Sequence, residues 1–139
     1  MVSIRMESLG EAELEQVRSG MRRAIERHVA FEAYTELSIT ARAPDGRLLG
    51  AAFGEAGRGW LHVSLMWVDE GERRRGHGTG LLRALESEAT ARGCHAAYLD
   101  TFSYQARPFC ERFGYRVFGV LDDYPIGHER YFMRKELTS

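Results

Sequence analysis

Cysteine is scarce in this 139-residue chain, with Cys94 and Cys110 the only two. Two thiols make no disulfide framework, and a zinc site needs more ligands at closer spacing, so neither a stapled fold nor a bound metal is expected. An excess of one charge is lacking as well. Nineteen Lys and Arg against twenty Asp and Glu leave a formal net charge of −1, so no whole-molecule field collects nucleic acid or an acidic membrane. Any basic function has to be local. Long apolar runs are absent too. The longest, "WLHVSLMWV", is broken by His62 and Ser64 and is far too short to span a bilayer. The opening "MVSIRMESLGEAELE" has no apolar h-region of a signal peptide, which makes the cytoplasm the expected location. No repeat, low-complexity run or linker interrupts the chain, and residues 1–139 are expected to form one domain.

What is present suits a packed protein, with 44% hydrophobic and 28% charged residues. "VSIR" offers a short first strand. From Glu11, Leu14, Val17, Met21, Ile25 and Val29 recur every three or four positions, as on one face of a helix. "LSITARA" (37–43) alternates as a half-buried strand does, "PDGR" turns, and "LLGAAFG" returns as the second arm of a hairpin. "WLHVSLMWV" (60–68) reads as a further strand, with Leu61, Val63, Leu65 and Trp67 on one side and Trp60, His62, Ser64 and Met66 on the other. A helix follows to about Arg92, ended by Gly93. Next come the strand "HAAYLDTF", the short helix "QARPFCERF" ended by Gly114, and the strands "YRVFGVL" and "RYFMRKEL" around the loop "DDYPIGH". This order implies an α/β protein with a mixed sheet, antiparallel at the flanks and parallel where helices cross over.

The segment "RRRGHGTGLLRALE" (73–86) sets Arg73, Arg74 and Arg75 before Gly76, Gly78 and Gly80 at the mouth of a helix. Ordered glycine costs roughly 0.5–1 kcal/mol relative to alanine inside an element, so three in a row of alternate positions need a reason. A helix N-terminus exposes unpaired amides and about half a positive charge, and glycine lets an anion approach them closely. The anion is not the phosphate of a nucleotide hydrolase loop, which needs Lys and Ser or Thr where Leu81 and Leu82 stand. Nor does the dinucleotide fingerprint fit, since Leu81 occupies its third small position. A tight turn with no ligand remains the plain structural alternative.

The order Arg75-x-x-Gly78-x-Gly80, between an apolar strand and a leucine-rich helix, resembles the GNAT family of N-acetyltransferases. "SYQARPFCERFGY" resembles that family's closing motif, and the likeness in element order runs from about Leu37 to Leu137. The resemblance implies a GNAT-like single-domain mixed sheet with a splayed parallel central pair and helices on both faces. It implies acetyl-CoA as cosubstrate and no metal. The amides of Gly76, His77, Gly78, Thr79 and Gly80, with Arg75, are then expected to face the pyrophosphate. Arg73 or Arg74 would meet the 3′-phosphate, and main-chain groups of Met66, Trp67 and Val68 would pair with the pantetheine arm.

Two departures from the family pattern concern the chemistry. Ser103 stands where Asn is usual, and Cys110 where Tyr commonly protonates the departing thiolate. Cys110 is a candidate acid in its place, with Tyr104 or water as alternatives and a buried structural thiol as the plain one. Cys94 is expected in the core. An alkylammonium of pKa about 10.4 costs roughly 4–5 kcal/mol to deprotonate at pH 7, so a base belongs beside the strand gap. His62 is the candidate and Asp100 the runner-up, each with a packing or capping role as its alternative, while Tyr124 and His128 are placed to line an acceptor pocket. The expected activity is direct transfer of acetyl to a primary amine of a small molecule or peptide, with no nucleic-acid partner. A second reading, kept open by Cys110, is a non-catalytic acyl-CoA sensor. Homodimers are common in the family, and the closing strands offer an edge for one.

Overall fold

The computed structural model describes residues 1–137 and divides into two compact units, Met1–Ala33 and Tyr34 onward. In the first, the expected helix is α1, Glu11–Glu26. Arg22 lies 4.0 Å over the Phe31 ring and donates to Glu26. "VSIR" forms no strand, because it has no neighbouring strand to satisfy its backbone.

The second unit is a six-stranded sheet: β1 (Thr35–Arg42), β2 (Leu48–Gly57), β3 (Trp60–Val68), β4 (Ala96–Phe102), β5 (Arg116–Asp122) and β6 (Glu129–Glu136). Their order in space is β1-β2-β3-β4-β6-β5. Only β3 and β4 run parallel, joined by helix α2 (His77–Ala91), while the other pairs are antiparallel. Helix α3 (Arg107–Arg112) carries the chain from β4 to β5, and β6 inserts between them.

Leu81, Leu82, Leu85 and Ala89 give α2 an apolar stripe at helical spacing that faces the sheet. Leu61, Leu82, Leu85 and Met133 are the largest fully buried side chains, each worth about 1.5–3 kcal/mol of burial. Close approach demands small residues on β2. A Cβ at Gly54 would stand 2.7 Å from the His62 carbonyl oxygen and 2.9 Å from Leu61 Cδ1. Behind α2, Glu86 accepts hydrogen bonds from the Tyr115 hydroxyl and the Lys135 ammonium, both at 2.7 Å, pinning the helix to β6 and to the residue after Gly114. Cys94 is buried in the same core.

The alternation expected for β3 holds only to Val63. The pairing with β2 steps from Gly54↔Val63 to Phe53↔Leu65, so Ser64 is an extra residue, a β-bulge. Beyond it the faces exchange. Met66 and Val68 pack on the core, and Leu65 and Trp67 are 58% and 43% exposed. A strict period of two cannot carry through an inserted residue.

Candidate active site

The parallel pair β3–β4 is short. Trp60↔Ala96, Leu61↔Ala97 and His62↔Tyr98 are its rungs, and past them the strands part. Both continue, β3 to Val68 on β2 and β4 to Phe102 on β6, so each has an edge facing the gap. The gap opens as a cleft of about 280 Å³ between Val63–Met66 and Leu99–Phe102, closed behind by Phe109 and Cys110 of α3.

Main-chain polar groups line that edge. Val68 presents its carbonyl away from β2, where Arg73 Nε donates to it at 3.2 Å, and Asp69 donates back to Leu49 of β2. By strand alternation Met66 opens to the gap as Val68 does, while Trp67 pairs with β2. Of the three residues expected to hold an extended arm, Met66 and Val68 turn their main-chain groups to the gap, the Val68 carbonyl being shared with Arg73, and Trp67 turns its own to β2.

Past Val68 a second hollow of about 310 Å³ lies against the start of α2, lined by Arg73, Arg74, Gly76, His77, Gly78, Thr79, Glu72, Arg112 and Phe109. Phe109 borders both hollows. Gly76 is the N-cap at φ +83°, a conformation that favours glycine, and no side chain caps the helix. The first intrahelical amide is that of Gly80, which donates to the Gly76 carbonyl at 3.0 Å. The amides of His77, Gly78 and Thr79 thus have no helical acceptor. A Cβ at Gly80 would meet nothing within 4 Å, and one at Gly78 would meet only the Phe109 ring at 3.7 Å. Packing does not demand either glycine, and at Gly78 the missing Cβ leaves the backbone open to the hollow.

The hollow is lined by Arg73, Gly76 and Gly78, which repeat the spacing Arg-x-x-Gly-x-Gly two residues before Arg75, Gly78 and Gly80, and neither Arg75 nor Gly80 lines it. Gly80's amide is spent within the helix, and Arg75 leans on Glu72 at 3.7 Å. His77 Nε2 stands 3.4 Å from the same carboxylate. Arg112 comes from α3 and was invisible to local reading. With it, Arg73, Arg74 and one helix N-terminus outweigh Glu72, so the hollow suits a multiply charged anion.

On the other face of the sheet, His62 occupies the last rung before the strands part. Its ring stacks on Tyr98 with centroids 4.6 Å apart, and its Nδ1 lies 3.3 Å from Glu55 Oε1. The bulged Ser64 donates to Glu55 Oε2 at 2.8 Å. With Nδ1 facing Glu55, Nε2 is the nitrogen left for a proton. The cleft wall includes Ser64, and His62 stands beside it rather than in it. Glu55 was missed in the sequence because it lies on a different strand, brought across by the β2–β3 register. Burial, with smaller contributions from Tyr34, Glu55 and Asp100, raises the Tyr98 phenol above its ordinary value, so it stays neutral beside His62.

Cys110 reaches the cleft from α3 but is buried. Burial first, and the Glu111 charge second, push its thiol up to about 11. Giving a proton to a thiolate of ordinary pKa near 8.5 would then be uphill by about 3 kcal/mol. The geometry favours the structural role. Asp100, the alternative base, lines the cleft with its carboxylate held by Arg130 Nε at 2.8 Å. Ser103 binds the loop: its hydroxyl lies 3.1 Å from His128 Nδ1 and accepts from the Glu129 amide. His128 therefore has the loop hydrogen bond, and Tyr104 stands outside the cleft lining. Among the described residues no group of His, Cys, Asp and Glu is arranged to hold a metal ion, and no helix is long and apolar enough to cross a membrane.

A family model described as "Acetyltransferase (GNAT) family" matches residues 6–115. A blasticidin-S acetyltransferase from Streptomyces morookaense is 37% identical over 123 residues, covering 86% of this chain and 90% of that protein. The crystal structure of an acetyltransferase from Bacillus cereus is 31% identical and superposes with a TM-score of 0.87 over 96% of this chain and 98% of that one. An aminoglycoside 6′-N-acetyltransferase solved with coenzyme A shares the fold at 19% identity, with a TM-score of 0.68 over 94% and 82% of the two chains.

Proposed function

The chain belongs to the GNAT family of acetyltransferases, and we propose that it moves acetyl from acetyl-CoA to the primary amine of a small molecule by direct attack. The observation that carries this reading is adjacency. The hollow where β3 and β4 part and the hollow at the uncapped first turn of α2 are neighbours that share Phe109 as a wall. A pyrophosphate suits the amides of His77, Gly78 and Thr79, with Arg73, Arg74 and Arg112 around it. Amide bonds to a charged group are worth roughly 1.5–3 kcal/mol each, so a few anchor a micromolar ligand. Met66 and Val68 extend the grip along an arm lying in the gap as an added strand would. The thioester then sits near Ser64, where the sheet is open through to the His62 face.

On that face an ammonium loses a proton to His62 Nε2, directly or through one water, while Glu55 holds the ring through Nδ1. The amine nitrogen bonds to the thioester carbon and gives up its second proton to solvent, the C–S bond breaks, and the thiolate takes a proton from solvent. Cys110 serves as packing behind the sulfur. Antibiotic acetyltransferases among the relatives support a small-molecule acceptor, and a peptide amine is the other outcome of an acceptor screen.

The test is incubation with acetyl-CoA and a panel of primary amines, following free thiol. Amine-dependent release that falls sharply in His62→Ala, with coenzyme affinity intact, supports the reading. Tight coenzyme binding without turnover on any amine would replace it with an acyl-CoA sensor.

A further inference from the structure

The loop 123–128 presents aromatic rings where a surface loop ordinarily presents polar groups. Tyr104 and Tyr124 are 57% and 46% exposed, beside the end of β4. Phe102 stacks on Tyr104 at 5.3 Å and 12°, and meets Tyr124 at 5.7 Å. Arg130 spans the group, 5.4 Å from the Phe102 centroid and 5.0 Å from that of Tyr124, while it holds Asp100. Phe102 and Asp100 also line the cleft, so this aromatic wall continues the acceptor side of the candidate site.

The wall is held rigid. The Tyr124 amide donates to the His128 carbonyl at 3.0 Å, the Gly127 amide to Asp123 Oδ1 at 3.3 Å, and the Ser103 amide to the Glu129 carbonyl at 2.8 Å. His128 meets the Tyr104 ring edge-on at 5.0 Å. Tyr124 on this loop and Tyr104 on the turn after β4 are thus held with their rings half in water, exposed apolar surface of the kind that marks a contact site. Asp100 and Arg130 neutralise each other, so what the wall offers an acceptor is ring surface rather than net charge. A ligand with a flat ring uses that surface; an aliphatic amine does not.

We propose that Tyr104 and Tyr124, backed by Phe102, are specificity-determining residues that select an amine acceptor bearing a flat unsaturated ring. The inference rests on the acetyl-transfer reading for the place of the acceptor, and it concerns recognition rather than chemistry. Ring-on-ring contact adds to simple burial, and the measured preference it gives is about three- to tenfold.

The experiment compares 2-phenylethylamine with 2-cyclohexylethylamine, equal in charge and close in size, by calorimetric binding to the protein saturated with coenzyme A. The wild-type protein is expected to bind the aryl amine about three- to tenfold more tightly. The double variant Tyr104→Leu/Tyr124→Leu is expected to lose that ratio while its coenzyme affinity and thermal midpoint stay as in wild type. Equal binding of the two amines by wild type, or a ratio that survives in the double variant, overturns the proposal. Because the readout needs no turnover, absent acetyl transfer with a retained aryl preference would fail the catalytic reading alone, and normal transfer without the preference would fail this one alone.

Discussion

The two hollows and their surroundings are built on different principles. The start of α2 offers backbone: one left-handed glycine, three amides without helical acceptors and a glycine whose missing Cβ leaves the approach open, all within Arg73–Gly80. The His62 face and the wall above it offer side chains from β2, β3, β4, the 123–128 loop and β6. Backbone sites tolerate few substitutions, because the group that binds cannot be exchanged, only blocked. Side-chain sites lose function in smaller and separable steps.

Blocking the backbone end should do the most. Gly78→Glu places a side chain over the amides and a like charge against the anion, and coenzyme affinity by calorimetry should fall about a thousandfold, the loss of two charged hydrogen bonds. Unchanged affinity would dissolve the contrast between the ends. At the His62 face, His62→Ala should lower kcat about a hundredfold, with coenzyme binding unaltered. Glu55→Gln keeps the shape and weakens the acceptor that holds the His62 ring. A loss of about tenfold in kcat, with no change in KM for acetyl-CoA, marks it as a positioning residue.

The smallest effect is expected at Cys110. Cys110→Ser should keep kcat within about twofold, since a thiol pushed up to about 11 is too weak an acid to matter to the departing sulfur. Its ionisation should show in stability instead. In the fold the thiol holds its proton to about 11, against an ordinary 9.0. The unfolded chain therefore ionises first, and stability falls as pH rises from 9.0 to about 11. Tyr115, raised by burial and by Glu86, acts in the same direction. The difference in thermal midpoint between wild type and Cys110→Ala across that window isolates the cysteine, and identical curves would deny its burial.

Much of this was legible in order along the chain. β3 runs as read from "WLHVSLMWV", and α2 stops at Ala91, just before the left-handed Gly93 at φ +93° that signals its end. The cradle was legible as a segment but ambiguous in register. Alternate glycines satisfy the spacing Arg-x-x-Gly-x-Gly twice, at Arg73/Gly76/Gly78 and again two residues on, and only the left-handed turn at Gly76 separates them. The bulge at Ser64 was hidden for a related reason: an alternating string keeps its parity on paper, whereas the pairing with β2 skips a residue.

Local composition and spacing determined the elements, the family likeness and the glycine turn before α2, because helix caps and strand periods act over a few neighbouring residues. Tertiary structure alone decided where β3 and β4 part, that Glu55 stands beside His62, that Arg112 joins the cradle and that Arg130 neutralises Asp100. Those contacts join residues far apart in the chain, and sheet register and packing set them. No window of sequence carries either.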